Sequence, residues 1–282
     1  MNIDYGRSFD FGKTSSDYAK YRDIYPQELY GRLLALGIGA RGQNILDLGT
    51  GTGVLPRNLA PYGAHFTGTD LSPEQIEQAR LLSQQAGLDI QYQACAAEEI
   101  SFPPKTFDTV TACQCFFYFN HQELAPRLYG ILKPAGKLAV IYMAWLPYED
   151  SVAQASEKLV LKYNPSWSGK EEVRRPIAID PAYDSLFTRK KELVFDVLIP
   201  FTRESWAGRL RACRGVGASL SADQVREFDQ EHNRLLCEIA PEQFSILHYC
   251  AITVLEKRPA LPEIKTTSKL VVCSDPRGVR TC

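Results

Sequence analysis

Three glycines on alternate positions, Gly49, Gly51 and Gly53, follow a short apolar run (Ile45, Leu46, Leu48) that carries one acid, Asp47. These residue types predict a buried strand ending in a bend too tight for side chains, with Val54 to Tyr62 able to begin a helix. A β-carbon at any of the three glycines would hold a ligand off the backbone, and glycine also accepts positive φ. In an open α/β sheet, a strand, a glycine bend and a helix form the usual crevice for a nucleotide-like ligand.

The spacing argues against a diphosphate. The dinucleotide fingerprint is G-x-G-x-x-G, with a pyrophosphate facing the helix N-terminus. Here the order is G-x-G-x-G, and Val54 stands where the last glycine of that fingerprint would be. Asp47, just before the bend, suits a positively charged group, through direct or water-bridged contact with an ammonium. About twenty residues further on, Asp70 closes an apolar-polar run, the position expected of a carboxylate that grips two ribose hydroxyls. A ligand with a ribose, an amino-acid ammonium and no phosphate is S-adenosylmethionine.

At this point the chain resembles the class I S-adenosylmethionine-dependent methyltransferases, in particular the small-molecule, trans-aconitate methyltransferase-like or type 11 group. Leu46-Asp47-Leu48-Gly49-Thr50-Gly51-Thr52-Gly53 looks like the first motif of that family, and Thr69-Asp70-Leu71-Ser72-Pro73 looks like its second. Ser72 would be an N-cap with Pro73 at the first helical position. Ala97-Glu98-Glu99-Ile100-Ser101-Phe102-Pro103 with Phe107-Asp108 resembles the adenine-side loop and fourth strand, and Leu132-Lys133-Pro134-Ala135-Gly136-Lys137-Leu138 the turn before the fifth. The resemblance implies that Gly49, Thr50, Gly51 and Gly53 contact the methionine part, supported by Asp47. It further implies that Asp70 binds the ribose, Leu71 packs on adenine, and the Ala97 N–H reads the adenine edge. Cys113 and Gln114 would lie below the methionine group. Many relatives carry an Asp where this chain has Ala96; Glu98 or a water is expected to replace it.

The acceptor side is less sharply written. Tyr18, Tyr21, Arg22 and Tyr25 fall within eight residues, and the resemblance implies a lid in which Tyr18 and Arg22 hold the methionine carboxylate, a task suited to a guanidinium. A surface helix with packing tyrosines is the other reading. In the aromatic run Cys115 to Phe119, Phe117 and Tyr118 are expected near the transfer chamber, the rest in the core. Trp145 lies at the corresponding sheet edge. Arg209, Arg211 and Arg214 could meet an anionic substrate such as a carboxylate, although Arg209 and Arg211 point differently on a helix; a solvated helix end competes. Tyr118, Glu149 and His232 are the candidate bases, with His248 a weaker one. The Asn or Asp-Pro-Pro-Tyr signature of amino-methyltransferases and the Pro-Cys pair of cytosine-C5 enzymes are both missing.

The elements that must carry these groups alternate between strand and helix from 26 to about 145, the mark of an α/β, doubly wound, mostly parallel sheet. Strands are expected at 43–48, 64–69, 89–94, 107–113 and 137–143, helices at 26–36, 53–61, 73–86 and 121–132. Residues 146–188 break the rhythm and read as an inserted helical cap, helical over 150–163. A strand at 192–199, helices at 202–213 and 221–239 and a strand at 244–256 return to the sheet. The resemblance implies seven strands in a Rossmann-like methyltransferase fold with the last antiparallel. The expected organisation is one methyltransferase domain over 1–258, with lid helices in 1–40, and a disordered tail at 259–282.

Hydrophobic residues make up 45% of the 282, consistent with an ordered globular chain, and the formal charge of −1 disfavours a nucleic-acid partner. No run of about twenty apolar residues could span a bilayer, and no apolar leader is visible, so a cytoplasmic location is expected. The eight cysteines are read as free thiols, small and buried. Cys113 and Cys115 lack the second pair that zinc needs, so no metal is expected; a thiolate site for arsenic methylation is a minor alternative. The function this predicts is in-line methyl transfer to a small molecule. A cofactor-binding regulatory protein without catalysis and an NAD-dependent oxidoreductase are the alternatives. The sequence leaves the oligomeric state open.

Overall fold

The computed structural model of the chain describes Asp4 and residues 9–259. Seven strands form one sheet in the order β3-β2-β1-β4-β5-β7-β6. They are β1 Asn44–Leu48, β2 His65–Asp70, β3 Gln91–Ala94, β4 Phe107–Cys113, β5 Leu132–Trp145, β6 Phe187–Thr202 and β7 Gln243–Lys257. The first five pair in parallel, and β7 runs antiparallel to both β5 and β6. Chain order reverses between β1 and β4. In such sheets the crevice outside the carboxyl ends of the strands at that reversal is the binding place, and it is here that the glycine bend and Cys113–Gln114 emerge.

The helices are α1 Ser15–Tyr21, α2 Gln27–Ala35, α3 Val54–Leu59, α4 Pro73–Gln85, α5 His121–Ile131, α6 Ser151–Tyr163, α7 Arg203–Arg211 and α8 Ala222–Ile239. Their starts follow local chemistry. Ser72 Oγ accepts the Gln75 N–H at 3.3 Å with Pro73 opening α4. Asp150 accepts the N–H groups of Val152 and Ala153 at the head of α6. Ser221 and Gln224 form a reciprocal capping box on α8. Ile45, Leu46 and Leu48 of β1 are buried, as a central strand covered on both faces requires.

Two boundaries differ from the sequence expectation. β5 begins at Leu132, directly after α5, and β6 reaches back to Phe187, so the segment between β5 and β6 holds one long helix, α6, and a short 3-10 turn at Pro181–Tyr183. Long antiparallel pairing with β7, from Phe187↔Lys257 to Thr202↔Gln243, recruits Thr188 and the charged residues 189–192 into strand. Their exposure at the sheet edge is compatible with that pairing, which alternation alone had not revealed. The expected tail, with Cys273 and Cys282, lies outside the described residues apart from Pro259.

Candidate active site

At the carboxyl edge of the sheet lies a cavity of about 500 Å³ whose wall includes Gly49, Gly51, Asp70, Leu71, Ala97, Glu98, Cys113 and Gln114. The bend that enters it has φ values of 56°, 55° and 74° at Gly49, Gly51 and Gly53, all left-handed, where any other residue is strained. Gly49 and Gly51 face the cavity. Gly53 does not: a β-carbon there would come within 2.3 Å of the Tyr92 hydroxyl. Its glycine serves packing between the bend and β3, which corrects the expectation that all three glycines admit ligand.

The two acids are held differently. Asp70 lines the cavity with its carboxylate fixed by the Gly51 N–H at 2.8 Å and the Ser72 N–H at 3.0 Å. Burial raises its pKa, and those N–H groups oppose the rise. Asp47 lies below the bend, buried, and accepts from Thr111 Oγ1 at 2.6 Å. It opens, with Thr50, Arg22 and Tyr18, on a side recess of about 10 Å³, about the space of one water. Its reach to a ligand is therefore through that recess rather than direct. Burial lifts its pKa to about 7, against the downward pull of the Thr111 hydroxyl.

Leu71 sits on the rim, 75% exposed, an apolar side chain available to a flat ring. Glu98 also lines the cavity, but its Oε1 accepts the Asn120 N–H at 2.6 Å, so one oxygen is already occupied at the head of α5. Gln114 has φ of 68°, and its amide donates to the Met143 carbonyl. Backbone strain of this kind in a non-glycine residue gathers at functional sites.

The cations sort clearly. Arg22 and Tyr18 line the cavity, the guanidinium 4.7 Å over the Tyr18 ring. Among the described residues no carboxylate pairs with Arg22, nor with Arg209. Arg209 is 4% exposed, with Nε and Nη1 buried and without hydrogen-bond partners, and stacks 5.1 Å over Trp145. Burial, and then the nearby Arg22, lower its pKa to about 9. Arg214 lines the cavity but is spoken for, with Asp4 at 2.8 Å, Tyr118 Oη at 2.9 Å and Ser168 Oγ at 3.1 Å. Arg211 turns away to Asp17 and Asp229, as its offset of two positions on α7 from Arg209 requires.

Phe117, Tyr118 and Trp145 all wall the cavity. Tyr118 accepts from Arg214, and burial holds its phenol above its ordinary pKa. The other two candidate bases are corrected. Glu149 is exposed and clamped by Arg174, which also holds Asp196 on β6. His232 is buried against Phe228, hydrogen-bonded to Ser156 at 2.9 Å, with its pKa pushed down to about 4 by burial. His248 is likewise buried, its Nδ1 on the Ile246 carbonyl. None of these three lines the cavity.

The sequence reading missed Tyr142 and Glu172. Both line the cavity, and the Tyr142 hydroxyl donates to Glu172 Oε2 at 3.1 Å. A tyrosine at the carboxyl end of β5 was a usable signal, whereas Glu172, in a Lys-Glu-Glu run, carries none. Phe9 and Phe11 close the cavity beside Tyr118. Cys95, Cys113, Cys115 and Cys213 also reach the wall, their thiols pushed up by burial. Among the described residues no group of three or more His, Cys, Asp or Glu could hold a metal ion. Nor is any described helix long and apolar enough to cross a membrane.

The sequence profile described as a methyltransferase domain matches residues 46–140, the span from β1 to mid-β5. A ubiquinone biosynthesis O-methyltransferase of Xanthomonas euvesicatoria is 28% identical over 172 residues, 60% of this chain and 70% of the relative. An uncharacterized protein of Mycobacterium tuberculosis is 36% identical over 108 residues, 38% of this chain. The chain spans 39% of the length of the first curated relatives it matches. A putative methyltransferase from Bacillus halodurans superposes with a TM-score of 0.51 at 16% identity, over 81% of this chain and 98% of that one. The YcgJ protein from Bacillus subtilis gives 0.50 at 18%, over 83% and 100%. At such identities the likeness is one of fold.

Proposed function

We propose, from the premise that residues 46–140 match a methyltransferase domain, that this chain transfers the methyl group of S-adenosylmethionine to a small anionic acceptor by in-line displacement. The observation that carries the anionic acceptor is the second unpaired guanidinium. Arg22 with Tyr18 stands beside the bend, where it would take the methionine carboxylate. Arg209, buried and without a counter-ion among the described residues, is then left to a second anion. A buried charge without a partner is costly, so a site that keeps one is built for a ligand that completes it.

The residues present fit the cofactor. Gly49 and Gly51 bring bare backbone to the cavity wall, with Cys115 and Tyr18 packed where their β-carbons would lie, Asp70 offers a carboxylate already oriented by two N–H groups, and Asp47 lies behind the recess that Arg22 shares. When bound, S-adenosylmethionine supplies an activated methyl on a sulfonium leaving group. The chain aligns, and Phe9, Phe117, Tyr118 and Trp145 keep water out. Alignment of this kind is worth about 7 kcal/mol or more. The net charge of −1 favours a small acceptor over a nucleic acid. The O-methyltransferase named among the relatives supports a small-molecule acceptor.

Calorimetric titration of benzoate, as a generic carboxylate, into protein saturated with S-adenosylhomocysteine tests the assignment. Arg209→Met is expected to weaken benzoate at least roughly tenfold, the scale of a charge-assisted pair, with S-adenosylhomocysteine affinity held within about threefold. Loss of the nucleoside with benzoate binding unchanged would place Arg209 on the cofactor and remove the anionic acceptor.

A further inference from the structure

One part of the cavity wall is not used by the cofactor assignment. Tyr142 lies near the carboxyl end of β5, on the face opposite Trp145, since alternate residues of a strand point to opposite faces. Its hydroxyl hydrogen is committed to Glu172 Oε2 at 3.1 Å, and Tyr249 commits its own to Glu172 Oε1 at 2.9 Å. Glu172 is 7% exposed and is also met by Arg175 at 3.2 Å. Burial and the neighbouring Glu172 hold the Tyr142 phenol well above its ordinary pKa.

The chemistry of this arrangement is specific. A tyrosine whose only hydrogen points at a carboxylate can offer a ligand nothing but oxygen lone pairs. It therefore selects a donor. An ammonium would need net negative charge, and Arg175 cancels the charge of Glu172. A neutral hydroxyl fits. Phe117, edge-on to Tyr142 at 6.0 Å, and Tyr118, 4.4 Å from Phe117, give the same region flat aromatic walls suited to a ring.

We propose that Tyr142, oriented by Glu172, is the hydroxyl-recognising subsite of the acceptor chamber, and that the acceptor is an aromatic hydroxy acid. This rests on the reading that Arg209 receives the acceptor's carboxylate. Arg209, stacked over Trp145, and Tyr142, on the opposite strand face from Trp145, line one cavity, so the carboxylate and hydroxyl of one planar molecule have separate anchors. The hydroxyl donates to Tyr142 and keeps its own lone pairs free toward the cavity. Tyr142 sets specificity by direct contact, and Glu172 acts through it as a positioning residue.

The test compares 4-hydroxybenzoate with benzoate by calorimetry on the full chain saturated with S-adenosylhomocysteine. The wild type is expected to prefer the hydroxy acid by roughly five- to tenfold, the worth of one buried hydrogen bond. Tyr142→Phe should reduce that preference to within about twofold and leave benzoate itself nearly unchanged. Glu172→Gln should reduce it as well. Tyr249→Phe is the structural control: it removes a donor from the same carboxylate without lining the cavity, and the preference should survive. A wild type that does not discriminate, or a Tyr142→Phe variant that still does, overturns the subsite. Failure of S-adenosylhomocysteine to bind is seen before either acid is added, and would overturn the cofactor reading beneath it.

Discussion

The backbone N–H of Gly51 donates to Asp70 Oδ2 at 2.8 Å, tying the bend after β1 to the carboxyl end of β2. With the Ser72 N–H on the other oxygen, the carboxylate has no rotational freedom left. A ribose offered to it meets an acceptor already in place, and little ordering remains to oppose binding. Asp70→Ala is therefore expected to weaken S-adenosylhomocysteine by roughly a hundredfold, the scale of hydrogen bonds to a charged group. Loss of the acceptor for two N–H groups should also lower the melting temperature, so affinity is compared well below it. An unchanged dissociation constant would remove the ribose assignment.

Asp47 gives a pH signature. Its folded pKa is about 7, raised by burial above the ordinary 3.8, so the folded chain holds a proton there that the unfolded chain releases. Stability from this group is full below about pH 4 and declines as pH rises toward 7, by up to roughly 4 kcal/mol. Asp47→Asn has no such proton to lose. The melting temperature of the variant relative to wild type should climb between pH 4 and 7; a constant difference across that window would contradict the burial argument.

Gly53 and Tyr92 should couple. A methyl at position 53 would meet the Tyr92 hydroxyl at 2.3 Å on a backbone with φ of 74°, so Gly53→Ala should cost about 2–4 kcal/mol. Adding Tyr92→Phe removes the clashing oxygen and should recover part of that loss, leaving about 1 kcal/mol of backbone strain. Tyr92→Phe alone should destabilise, since the hydroxyl is hydrogen-bonded to Ser83 Oγ at 2.9 Å. Purely additive denaturation midpoints would show that the two do not touch.

His232 is expected to matter for folding alone. It shares a buried face of α8 with Phe228 and Leu236, and Ser156 Oγ is its hydrogen-bond partner. His232→Ala should lower stability by about 2–3 kcal/mol through cavity and lost hydrogen bond. Affinity for S-adenosylhomocysteine should stay within about twofold when measured well below the melting temperature. A selective loss of binding in a stable variant would return His232 to the site.

The glycine-bend side of the cavity was legible because its chemistry is local. The bend needs glycine at positive φ, Ser72 and Pro73 mark a helix start, and Asp70 follows at the end of the next strand. The opposite wall of the cavity is assembled from distant segments. Phe228, His232 and Leu236 recur every four residues, so the spacing itself marked His232 as core, a signal outweighed by the habit of reading histidines as bases. Glu149 follows the carboxyl end of β5, where active-site groups gather, yet Arg174 draws it outward toward Asp196 on β6. Glu172 reads as a solvated charge in sequence and becomes a buried acceptor only because Tyr142 and Tyr249, on adjacent strands, converge on it. Arg209 and Arg211 were separable by helix geometry; which of them faced inward depended on Asp17 and Asp229, and that is tertiary information.

The central claim is that this bend and its two acids hold a cationic adenosyl donor rather than a diphosphate. Side-by-side calorimetry of the full chain with S-adenosylmethionine, S-adenosylhomocysteine and NAD tests it most directly. One-to-one binding of the two sulfur nucleosides with no measurable heat from NAD is the predicted result. Tight NAD binding with neither sulfur nucleoside bound would contradict it.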